Sequence, residues 1–345
     1  MDMGNANENN HTGYPLARIL TLGEFAIEHP VTTPSPDPGQ LPRYAPVPPG
    51  EWRSRGPAVT LLKVLLCRPN RRAARDELIE AIWPDNEALN AAHALDSAAS
   101  VLRRHILRTH GEGSLLLTVR SGGETIFRLP GQRHLWVDAD ELLELAARAV
   151  RAECQGRDPL PLLEAAHALS RGEFLEDDPY AEWAQGRRRT VEGARHRVLY
   201  RLVDLYLGEA RAGLAEELLF AELERDQADE DALCRLMVLL VDQGRRQEAL
   251  RLYQYTAEVL REERSEPAMF TKELAARIRQ GLTLRERTAG YTVGGAQPTR
   301  SADRATMPAL AVIGTASPNS RVTKKRSVKA YLMYSEQLEG ERRDA

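Results

Sequence analysis

The sequence predicts a mainly α fold, in which a small α+β module precedes an all-α domain of repeated helix pairs. Three observations predict it. Residues 58–129 read as three short helices followed by a two-stranded hairpin. Residues 138–281 keep a helical period throughout, and two stretches within them match at an offset of 34 residues. Past Gly281 the chain turns to Thr, Ser, Gly, Pro and charge, with few large apolar side chains, so 283–345 is expected to be a flexible tail, with a short helix near Val328–Gln337. The polar residues 1–13 are expected to be disordered as well.

The elements follow in order. Ile19, Leu20, Leu22, Phe25 and Ile27 alternate as one strand over 16–27, bent at Gly23. Eight prolines between 30 and 49 cannot donate to a ladder, so this stretch is expected to be an extended, solvated insertion. A first helix begins at Ala58 with the stripe Leu61, Leu62, Leu65, Leu66 and stops before Pro69-Asn70. A second runs from Arg75, with Asp76 and Glu77 in its dipole-favoured first turn, and Pro84 ends it. The third spans Ala88–Leu107. Its Ala91, Leu95, Ala99, Leu102 and Ile106 form a single buried stripe. Strands over 114–119 and 125–129 then flank Ser121-Gly122-Gly123, a hairpin turn by its glycine pair. Leu135–Asp140 closes the module, and Asp138 is read as the cap of the next helix.

A helix-turn-helix with a trailing hairpin is a winged helix-turn-helix, whose last helix fits the DNA major groove. With the stripe facing inward, the third helix presents Asn90, His93, Ser97, Ser100, Arg103 and Arg104. Asn and Ser exchange hydrogen bonds with base edges, and Arg takes guanine bidentately or neutralises phosphate. Thr118, Arg120 and Ser121 at the hairpin tip reach the flanking backbone or minor groove. Arg53, Arg55, Arg71 and Arg72 are further phosphate candidates, whereas Arg187–Arg189 read as a solvated face beside Glu182 and Glu192. Trp83 and Trp136 read as core corners, with Phe174, Tyr180 and Trp183 packing the start of the helical domain.

In that helical domain, Arg201–Tyr206 aligns with Arg235–Leu240 and Ala215–Leu219 with Ala249–Tyr253. The period belongs to the tetratricopeptide helix pair, and Gly244–Leu250 is its typical turn and second-helix start.

Composition excludes several classes. Apolar residues make up 42% of the 345 and the net charge is −3, unlike a generic polyanion coat. The charge is uneven, positive over 51–131 and negative over 132–280, so any DNA-facing charge is local. No run approaches a transmembrane helix and no signal peptide opens the chain; a cytoplasmic, nucleoid-associated protein with no membrane partner is expected. Cys67, Cys154 and Cys234 lie too far apart for a metal knuckle, and read as thiols in a reducing compartment. The sequence has no P-loop, no glycine-rich dinucleotide turn, no Gly-x-Ser-x-Gly and no His-Glu-x-x-His. Neither an enzyme nor a bound cofactor or metal is expected. The rival to a DNA-binding protein is a helical-repeat scaffold whose winged helix only docks on proteins; Arg103, Arg104 and Arg120 weigh against it.

Several phrases carry a resemblance. They are Leu20–Phe25, Leu61–Leu66, Asp76–Pro84, Leu95–Arg104 and Trp136–Asp140, then Ser170–Phe174, Glu182–Ala184 and Gly244–Tyr253. With them residues 16–280 resemble the antibiotic-regulatory-protein (SARP, AfsR-type) family of bacterial transcriptional activators. The resemblance implies an OmpR-like winged helix over 14–137, carrying the proline-rich insertion 30–49, and a bacterial transcriptional activator domain over 138–282. It implies binding to double-stranded promoter DNA, commonly by two protomers as a homodimer on DNA, and contact with RNA polymerase or its sigma factor. By the same resemblance the loop Trp83, Pro84, Asp85, Asn86, Glu87 makes the polymerase contact. Two-component phosphorylation is not expected, because no receiver domain precedes the winged helix.

Overall fold

A computed structural model describes residues 14–31, 42–108, 113–281 and 327–328. The expected disordered N-terminus, most of the expected tail and the centre of the proline-rich stretch lie outside these residues. The chain divides into two compact units, Met1–Leu202 and Val203–Ala345.

The first unit opens with a four-stranded sheet of order β3-β2-β1-β7, built from β1 (Ala17–Leu20), β2 (Ala26–Pro30), β3 (Tyr44–Pro46) and β7 (Leu135–Val137). The expected single strand over 16–27 is therefore two, because Gly23 turns back at φ 95° and Arg18 pairs with Glu28. The proline-rich insertion is likewise shorter than expected. Pro30 ends β2 and pairs with Tyr44, while Pro46 ends β3 at the sheet edge, where a missing N–H costs no ladder bond. The other edge strand, β7, runs parallel to β1 with Ile19 opposite Val137.

The helices follow as α1 (Pro49–Trp52), α2 (Gly56–Cys67), α3 (Arg75–Ile82) and α4 (Ala88–Val101). At the end of α4 the helix widens into a π turn over Leu102–Ile106, where Leu107 N donates to Leu102 O at 2.8 Å. The hairpin is β5 (Leu117–Ser121) and β6 (Glu124–Arg128), turning at Gly122 and Gly123 with φ 60° and 88°. A third strand that the sequence does not announce, β4 (Arg72–Ala74), pairs with β6. The expected strand start at 114 moves to 117, because Leu115 and Leu116 are buried instead of alternating.

Three helices complete this unit: α5 (Asp138–Cys154), α6 (Leu160–Leu169) and most of α7 (Glu182–Gly208). One apolar core runs from Ile19 through Leu62 and Leu95 into Leu142, Phe174 and Val191. Asp138 does not cap α5. It lies in the first turn, is buried, and reaches across to β1. Its carboxylate accepts from Thr21 N at 2.8 and 2.9 Å, Thr21 Oγ1 at 2.6 Å, Leu22 N at 3.0 Å and Ala139 N at 2.8 Å. Burial raises its pKa, and these donors oppose the rise. Asp140 pairs with both Arg71 and Arg187, while Lys63 reaches Asp178. Phe174 is buried beside Leu22, as expected of a packing residue, but Tyr180 is 78% exposed.

The second unit holds α8 (Ala212–Arg225), α9 (Glu230–Asp242), α10 (Arg246–Glu262) and α11 (Met269–Gln280). The 34-residue period recurs in the backbone. Arg211 N donates to Tyr206 O and Arg245 N to Leu240 O, each at 2.7 Å. The residue before each is left-handed: Ala210 at φ 59°, Gly244 at φ 81°. Ala215 and Ala249, one period apart, are both fully buried. Of the expected tail helix near Val328–Gln337 only Val328 is described, with Ser327 just before it. Val328 is buried, and Ser327 Oγ donates to Glu224 at 2.8 Å.

Candidate nucleic-acid interface

The 3.6-residue period of α4 sets its two faces. Ala91, Leu95, Ala98, Ala99, Leu102 and Ile106 are all buried, and small side chains at 98 and 99 let α2 lie close. On the opposite face Asn90, His93, Ser97 and Arg104 are exposed, and Ser100 is half-buried. Asn90 Nδ2 donates to Glu87 Oε2 at 3.3 Å, tying the start of the helix to the preceding loop.

Arg103 behaves differently from its neighbour. It is half-buried, its Nε donates to Leu116 O at 3.3 Å and its Nη2 to Thr118 Oγ1. Its guanidinium also lies 5.9 Å from the Phe127 ring centre. Arg103 is thus a strut that holds β5 against α4 and brings helix and wing into one surface. Thr118, although exposed, is engaged by it. Arg104 and Arg120 are exposed and have no partner among the described residues, and Ser121 stands exposed beside the glycine turn.

A pair that sequence reasoning missed lies on the same face. Arg75, opening α3, donates to both oxygens of Asp96 at 2.7 and 2.8 Å and to Ala92 O at 3.1 Å. The hydrogen bond from Arg75 holds the Asp96 carboxyl below its usual range, and the charges of Arg75, His93 and Arg103 act in the same direction. Asp96 falls three residues after His93 on the outward side, so its exposure was readable; its partner on another helix was not.

Other cations are placed elsewhere. Arg71, a phosphate candidate by sequence, is buried, and donates to Pro130 O at 2.9 Å and Leu135 O at 2.7 Å as well as to Asp140. Desolvation lowers its pKa to about 10. Arg187 joins Asp140, and Arg188 donates to the carbonyls of Phe174, Pro179 and Asp178, so these two are not a solvated face. Arg53 and Arg72 remain exposed; Arg53 meets Glu24 at 2.8 Å.

In the loop after α3, Trp83 is half-buried against the core, as its reading as a core corner required. Pro84, Asp85, Asn86 and Glu87 are exposed, and the neighbouring Leu89 is 75% exposed.

Comparison with known proteins agrees with this architecture. Residues 55–123 match the family described as "Transcriptional regulatory protein, C terminal", and residues 137–279 match the "Bacterial transcriptional activator domain". The chain is 31% identical over 220 residues to the regulatory protein AfsR of Streptomyces griseus, and 30% identical over 226 residues to that of Streptomyces coelicolor. These alignments cover 63% and 64% of this chain but only 22% of each relative. The fold is also that of EmbR from Mycobacterium tuberculosis, solved with a low affinity phosphopeptide. The TM-score is 0.57 at 20% identity, covering 78% of this chain and 66% of that one. In its two matched domains, a winged helix followed by a bacterial transcriptional activator domain, the chain is similar to the SARP/AfsR-type transcriptional regulators. The matched families are regulators, not enzymes. Among the described residues no helix is long and apolar enough to cross a membrane.

Proposed function

We propose that this regulator binds double-stranded promoter DNA in a sequence-specific manner through the outward face of α4 and the wing. The winged helix, 14–137, is the reader, and 138–282 carries contacts to a second protomer or to the transcription machinery. The observation that supports this most directly is the joining of α4 to β5 through Arg103, with Asn90, His93, Ser97 and Arg104 exposed on α4 and Arg120 exposed on β5, and no acidic partner for Arg104 or Arg120 among the described residues. Asn90 and Ser97 suit base edges, while Arg104 and Arg120 suit guanine or phosphate. Arg103 holds the wing in place, with Ser100 and Thr118 at the same seam.

Activation follows in the same reading from the loop Trp83–Glu87, which would touch RNA polymerase or its sigma factor. An exposed leucine beside Asp85 and Glu87 is the kind of mixed apolar and acidic surface that a protein partner covers. Two protomers on adjacent half-sites complete the arrangement, and the protein works at the nucleoid in the cytoplasm.

Binding of the full chain to random-sequence duplex across a salt series tests the reader. Arg104→Ala with Arg120→Ala is expected to weaken binding and to lower the slope of log affinity against log salt by about 1–2, roughly 0.9 for each phosphate no longer neutralised. This pair leaves the Arg103 strut intact. Unchanged affinity and slope would overturn the groove assignment and leave the protein-docking scaffold.

A further inference from the structure

The first unit contains a half-open, largely apolar pocket of about 190 Å³ between α5, α6 and α7. Leu143, Ala146 and Val150 line it from α5, Leu163 from α6, and Ala194 and Val198 from α7. The space exists because alanines stand where larger side chains would meet: Ala146, Ala147 and Ala149 on one side and Ala194 on the other. An apolar cavity of about 150 Å³ is enough to hold benzene. At its edge Val150 is 59% exposed, an aliphatic side chain left in water beside an unfilled apolar space.

Three ionisable groups line the cavity: Glu153, Arg197 and Arg201. Arg201 is bound to Glu153 through Nε and Nη2, so these two charges cancel. Arg197, one helical turn before Arg201 on α7, is exposed and has no partner among the described residues. The rim therefore keeps one uncompensated positive charge above an apolar chamber. That combination recognises one kind of ligand, an apolar body bearing a single anionic head.

We infer that this cavity is a binding site for a small amphipathic carboxylate, with a linear or ring-shaped body of about six to eight carbons. The body fills the alanine-lined space and covers Val150, and the carboxylate accepts from the Arg197 guanidinium. The site lies away from α4 and the wing. It spans α5 and α7, the two helices that also carry the Asp140–Arg187 pair, so an occupant braces the mount of the winged helix. The inference does not rest on DNA binding.

The test uses the full-length protein with hexanoate, 1-hexanol and acetate as probes at matched ionic strength, read by thermal unfolding and by ligand-observed NMR. Hexanoate is expected to raise Tm saturably and to show transfer from the protein, acetate to do neither, and hexanol to bind more weakly. Arg197→Gln should weaken hexanoate about tenfold, as expected for loss of a charged hydrogen bond, and leave hexanol unchanged. Ala146→Leu places a larger side chain in the chamber and should abolish the response to both, with Ala147→Leu serving if the first variant does not fold. Hexanoate behaving like acetate, or a saturable response that survives both filling variants, would overturn the site. Equal binding of hexanol and hexanoate by the wild type would overturn the anionic head.

Discussion

Asp138 gathers hydrogen bonds from Thr21 and Leu22, groups 117 and 116 positions away in the sequence. Read locally it is a helix cap; in the folded chain it fastens the end of β1 to the start of α5. Replacing it by Ala leaves the N–H groups of Thr21 and Leu22 unpaired in the interior, and should cost about 2–4 kcal/mol in urea unfolding. The pH dependence has a definite sign. Burial places the folded pKa of Asp138 above its ordinary value of 3.8, so the folded state binds the proton more tightly than the unfolded chain. The linked stability is full below the unfolded pKa and is lost as pH rises through the folded one. The advantage of wild type over Asp138→Asn should therefore shrink as pH is raised from acid towards neutral. A gap that widened over that range would contradict the burial effect. Arginines teach the same lesson. Arg71 and Arg104 look alike in sequence, yet one is buried in a carbonyl and carboxylate cage and the other stands in solvent. Only packing separates them.

At the scale of elements, α4 was the most readable part of the chain. A stripe repeating every three to four residues can only be satisfied by one buried face, and all five residues expected in it are buried. The wing turn was readable for a related reason, since two adjacent glycines allow the positive φ that a tight hairpin needs. Strands β3, β4 and β7 were not, because each has three residues and owes its existence to a partner far along the chain. The helical repeats show how one residue blurs a motif. The turn before α10 has Gly244, but the equivalent turn before α8 puts Ala210 in the left-handed region, so the first copy lacks its glycine signature. Ala210→Gly is thus expected to relieve strain and raise stability, by up to about 1 kcal/mol in urea unfolding, where Gly in a helix interior would lower it. A loss of stability would show that the turn is not strained.

Across the first unit, the winged helix and α5–α7 are one packed body. Gly23 and Gly172 meet so closely that a Cβ on Gly172 would lie 2.5 Å from Gly23 Cα, and Gly23 N donates to Glu173 O at 2.9 Å. Gly172→Ala should therefore destabilise this unit by about 1–3 kcal/mol, as overpacking does, with a lower Tm as the reading. A fragment ending at residue 137 should also melt well below one ending at 202. It lacks Ala139, Leu142, Phe174 and Leu175, which belong to the same core. Equal melting temperatures for the two fragments would show the winged helix to be independent.

The sequence by itself determined what depends on near neighbours: the faces of α4, the glycine turn of the wing, the 34-residue repeat and the family resemblance. These are patterns of period and turn chemistry, written within a few residues of one another. The tertiary structure alone decided which arginines are free to meet a partner, what Asp138 and Asp140 hold, and that the winged helix is built onto α5–α7. Those outcomes depend on contacts between segments from about 47 to 117 residues apart, which are selected by the packing of the whole unit and leave no periodic trace in the chain.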